Sequence, residues 1–92
     1  MYRAETMYTM DAMRDSITTL VAERDTGRIS EEAFNTLIVS NALSAAIFGD
    51  DALAETASAS FSDELFEEAI GGTGYTDAVM AAIDAFVAAM LA

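Results

Sequence analysis

The groups in this 92-residue chain with chemistry to offer are sixteen carboxylates, a scatter of Ser and Thr hydroxyls, three tyrosines and four arginines. There is no His, Cys, Lys, Trp, Gln or Pro. Without His or Cys no side chain has an ordinary pKa near neutrality, and thiolate chemistry, tetrahedral zinc and the usual haem ligation are excluded. Without Lys there is neither a Schiff base nor a phosphate-loop lysine. A carboxylate pair of the glycosidase kind needs a cleft to hold a sugar, which a chain this short rarely encloses. The inventory therefore points to a non-enzymatic protein that needs no cofactor.

The carboxylates are also unevenly placed. Residues 1–28 carry all four arginines against Glu5, Asp11, Asp15, Glu23 and Asp25, for a net charge of -1. Residues 29–92 carry no base and eleven acids, so nearly all of the formal -12 lies there. Such a surface repels phosphates, which argues against direct nucleic-acid binding. On one short segment Asp63, Glu64, Glu67 and Glu68 form two like-charge i,i+4 pairs, each costing about 0.2 to 0.5 kcal/mol in an isolated helix. Asp50, Asp51 and Glu55 lie just upstream.

Three readings of this charge compete. It keeps a chain with 53% hydrophobic residues dispersed, with part of it serving as helix caps. It fits a halophilic proteome, in which abundant acid accompanies an absence of Lys. Or it forms a binding surface for a basic partner, with carboxylates about 5 to 6 Å apart on a helix standing in for phosphates. On the third reading the partner-binding residues are Asp63, Glu64, Glu67 and Glu68, with Asp50, Asp51 and Glu55.

Folding is not in question, because the mean hydropathy of +0.30 is far from that of disordered acidic chains. The chain predicts a single all-α domain, 1–92, a compact bundle of four or five short helices. Surface scaling gives about 14,000 Å² unfolded and about 5,100 Å² folded, enough for a marginal monomer that would gain from a partner.

The elements that position the acids follow from apolar spacing and caps. Met10, Met13, Ile17, Leu20 and Val21 predict a first helix over about Thr9 to Arg24, ended by Gly27 in the left-handed conformation. Ser30 caps a second helix running to Phe48, with Glu31 and Glu32 in its first turn. Its wide apolar coverage makes it the expected spine of the core, together with the last helix. Asp50-Asp51 starts a third, weaker helix to about Thr56, and the small polar run Ala57-Ser58-Ala59-Ser60 reads as a loop. Ser62 opens a short fourth helix ending at Gly71-Gly72, and a turn through Gly74 leads to Thr76, cap of a helix over about Asp77 to Leu91. Ile29 with Phe34, Phe61 with Phe66 and Tyr75 with Met80 are spaced as hydrophobic staples.

In the last helix Met80, Ile83, Phe86, Val87 and Met90 share a face. That face is either core or the seam of a homodimer, since a wholly apolar helix has much to cover. The stretch from Ala78 to Ala92 is shorter than the roughly 20 residues that span a bilayer and is broken by Asp84. Met1 to Glu5 shows no apolar signal-peptide region, so a cytoplasmic location is expected.

Asp25-Thr26-Gly27-Arg28-Ile29-Ser30-Glu31-Glu32-Ala33-Phe34 has the outline of a calcium loop and its exiting helix. In that register ligand positions one, three, five and twelve fall on Ala22, Arg24, Thr26 and Ala33, none a carboxylate, so calcium is excluded. The stretch Leu20 to Phe34 is also similar to the short helical-hairpin module known as SHOCT, which implies oligomerisation, but it lacks the basic residues common after that module's Phe. In size, acidity and helical character the whole chain resembles bacteriophage counter-defence proteins, including anti-CRISPR proteins and DNA mimics. That resemblance implies an inhibitor occupying the basic surface of a nucleic-acid-handling partner, in the host cytoplasm if phage-encoded. Small helical virion or assembly subunits share the profile, and imply a structural role for the Ala-rich last helix.

Overall fold

A computed structural model describes residues 8–72 and 75–92. Arg3 and Glu5, and the end of the expected glycine turn at Gly74, lie outside the described residues. The described chain is all-α: α1 (Met10–Asp25), α2 (Glu31–Phe48), α3 (Asp51–Ser60), α4 (Asp63–Gly71) and α5 (Asp77–Leu91).

Each start is built from one local interaction, a side-chain oxygen accepting from a backbone N–H three residues on. Thr9, Ser30, Asp50, Ser62 and Thr76 do this for α1 to α5 in turn. After α1, Gly27 takes φ 77°. Its N–H donates to Arg24 O and the N–H of Arg28 to Glu23 O, the paired bonds of a Schellman ending. Gly49 ends α2 for a different reason: a Cβ there would run into the Ala45 carbonyl and the Leu53 side chain. Of the three staples, Phe61 and Phe66 stack with ring centroids 4.8 Å apart, Phe34 is buried beside half-buried Ile29, and Tyr75 and Met80 are half-buried against the core.

α2 and α5 each pack against all four other helices and form the centre of the bundle. Around them Met13, Ile17, Phe34, Ile38, Leu53, Phe61, Phe66, Val79, Ile83, Phe86 and Met90 close one core. Contacts far apart in sequence tie the ends in. Tyr8 pairs with Gly49 in an isolated bridge, its carbonyl accepting from Asp50 N–H at 3.0 Å. The Arg14 Nε donates to Met90 O at 3.0 Å, so α1 supplies a cation to the last turn of α5, which has none of its own. The Arg24 guanidinium lies 4.2 Å from the Phe34 ring centroid.

Two expectations are corrected. Ala57 to Ser60 is the last turn of α3, not a loop. Ala57 is fully buried, so burial overrides weak propensity, and the Thr56 and Ser60 hydroxyls are satisfied within the helix by donating to Ala52 O and Thr56 O. The homodimer seam is corrected as well. Ile83, Phe86 and Met90 are 1%, 0% and 0% exposed within the chain's own core, with Met80 and Val87 half-buried beside them. Four neighbouring helices cover all of α5 but its end at Leu91, because the other outward positions Ala81, Asp84, Ala85, Ala88 and Ala89 are small or charged.

Candidate functional site

The carboxylates expected to act together separate into four groups. Asp50 is committed to the fold: Oδ1 accepts from Leu53 N–H at 2.9 Å and Oδ2 from Met10 N–H at 3.3 Å. Both oxygens thus hold the junction of α1 with α3, while the residue itself remains exposed. At about 100° per residue, the i,i+4 pairs Asp63/Glu67 and Glu64/Glu68 emerge on different flanks of α4. Asp63 and Glu67 border a groove with Phe66 and Ile70, and Glu64 and Glu68 are not among its lining residues. Asp51 and Glu55 border a shallower depression on α3.

These features are continuous. The groove, about 760 Å³ and open to solvent, runs between α2 and α4 and reaches Ser58 of α3. Ser58 also lines the Asp51/Glu55 depression. Toward the other end, Leu43 and Ile70 are shared with a hollow bounded by Val39 and Tyr75, where the Tyr75 hydroxyl lies 3.0 Å from Thr36 Oγ1. The result is a trough with apolar walls from Leu43, Ala46, Ile47, Phe66 and Ile70 and acids along its α3–α4 border. The spacing of Val39, Leu43 and Ile47, a second apolar row flanking the core-facing row of α2, is the sequence signal that marks its wall. Nothing comparable marks Ile70, whose exposure follows from how α4 lies against α2.

Among the described residues, both ion pairs are in α1, Arg14 with Asp11 at 3.2 Å and Arg24 with Asp25 at 3.3 Å. The acids bordering the trough therefore face solvent without a cation from the described residues. No group of three or more carboxylates among the described residues converges as a metal site. No described helix is long and apolar enough to cross a membrane. No protein-family model matches the chain, and neither a curated protein nor a solved structure matches it significantly.

Proposed function

We propose that this is a non-enzymatic binding protein that occupies the basic surface of a nucleic-acid-handling partner, in the manner of the anti-CRISPR and DNA-mimic proteins it resembles, within the cytoplasm. The observation that carries the reading is the continuity of Asp51, Glu55, Asp63 and Glu67 along adjoining depressions that meet at Ser58, in a half of the chain that has no base. Helix capping accounts for Asp50, but not for all four of these. Carboxylates held on packed helices present charge at fixed spacing, which steers a cationic partner and excludes an anionic one. The rim is solvent-exposed, so its pull is screened within about 8 Å at physiological ionic strength.

The test is capture from a bacterial lysate on the immobilised chain, at low and at high salt, with excess duplex DNA as competitor. A specific partner should be released by both salt and DNA. The double variant Glu55→Lys/Glu67→Lys should lose it, while Glu64→Lys/Glu68→Lys on the other flank of α4 retains most of it. Helicity by circular dichroism should be unchanged, and Glu67→Lys should melt no lower than the parent, because it turns a like-charge i,i+4 pair into an attractive one. Capture that ignores both salt and the groove-side reversal would overturn the reading.

A further inference from the structure

Beyond its charge, the trough leaves apolar surface uncovered. Ile47 on α2 and Ile70 on α4 are 61% and 60% exposed, on opposite walls of one concavity. Contiguous apolar surface rimmed by charge marks an interaction site more often than scattered single residues do. Its lining recurs along α2 from Thr36 through Leu43 to Ile47, a run of about 16 Å at the helical rise of about 1.5 Å per residue. That is the length of about three turns of a docked helix, the geometry of helix-in-groove recognition.

The charge selects the occupant. A second copy of this chain would bring its own net -12 and its own base-free α2 to α5 against Asp63 and Glu67. Nucleic acid and anionic lipid carry phosphates of the same sign. We infer that the trough receives a cationic amphipathic helix of about three turns from the partner protein. Its apolar stripe seats on Leu43, Ile47, Phe66 and Ile70, and its Lys or Arg side chains reach Asp63 and Glu67. The inference rests on the acidic-surface reading above and names the partner segment that such a surface would hold.

The test uses the full chain and synthetic peptides of about 15 residues, long enough for marginal helicity. One has Leu at helical spacing on a Lys background, one is its scrambled isomer, and one replaces Lys by Glu. By calorimetry, the patterned Leu/Lys peptide should bind at least about tenfold tighter than its isomer, a difference of about 1.4 kcal/mol. The Leu/Glu peptide should not bind. The Ile47→Ser/Ile70→Ser variant should lose the preference for pattern, and both substituted positions are exposed, so the fold should tolerate them. On the unaltered chain, NMR shifts induced by the patterned peptide should centre on Ile47 and Ile70, which reads the site without any substitution. Equal binding of the scrambled isomer, or shifts centred elsewhere, overturns the inference and leaves the acidic-surface reading standing. Failure of both basic peptides to bind at low salt overturns both. A dimer by light scattering that covers the trough overturns the inference in favour of self-association.

Discussion

Replacing Asp50 by Ala separates the acids that build the fold from those free to bind. One oxygen of Asp50 caps α3 through Leu53 N–H at 2.9 Å, and the other bonds Met10 N–H at 3.3 Å, forty residues away at the start of α1. Loss of an N-cap carboxylate costs about 1 kcal/mol. The second bond is long and exposed, so its contribution falls at the low end of the range, about 0.5 kcal/mol. The sum, about 1.5 kcal/mol, lowers the melting temperature by about 6 to 12 °C for a domain of this size. Asp50→Asn keeps an acceptor for Leu53 but turns an amide NH2 toward Met10 N–H, so it should lose only about 0.5 kcal/mol. Thermal melts and urea titrations at fixed ionic strength measure both, with an unchanged m-value confirming that the denatured state is not the cause. A loss below about 0.5 kcal/mol for Asp50→Ala, the ordinary range for a surface substitution, would refute the clamp. Equal losses for the two variants would refute the division between its oxygens.

Other consequences are as direct. Gly49→Ala should cost about 1 to 3 kcal/mol by urea titration, because its Cβ would meet the Ala45 carbonyl and the Leu53 side chain and the turn into α3 would have to move. Arg14→Ala should cost about 1 kcal/mol by losing the bond to Met90 O at the end of α5, and hydrogen exchange should show that end fraying first. Phe86→Ala should cost about 3 to 5 kcal/mol and leave the mass by light scattering unaltered, since Phe86 is wholly buried in its own chain. A stable Phe86→Ala variant with a changed mass would restore α5 as an association face.

Local chemistry made much of the architecture legible. The caps at Ser30, Ser62 and Thr76 and the left-handed Gly27 depend on atoms a few residues apart, so the sequence alone determines them. The expected limits of α2 and α5 agree with the structure for the same reason. Composition likewise determined that the second half is a base-free acidic surface. What needed the tertiary structure was every property defined by a neighbour distant in sequence. Ala57 completes α3 because it is buried in the bundle, although Ala57 to Ser60 has the composition of a loop. The apolar face of α5 is consumed by the core because four helices surround it. Asp50 is occupied because the start of α1 returns to it, whereas Asp63 and Glu67 are left at the edge of an apolar trough because α4 lies beside α2. A carboxylate's type is written in the chain, but whether its oxygens are spent on backbone N–H groups or turned to solvent is decided by which backbone folding brings within about 3 Å of it.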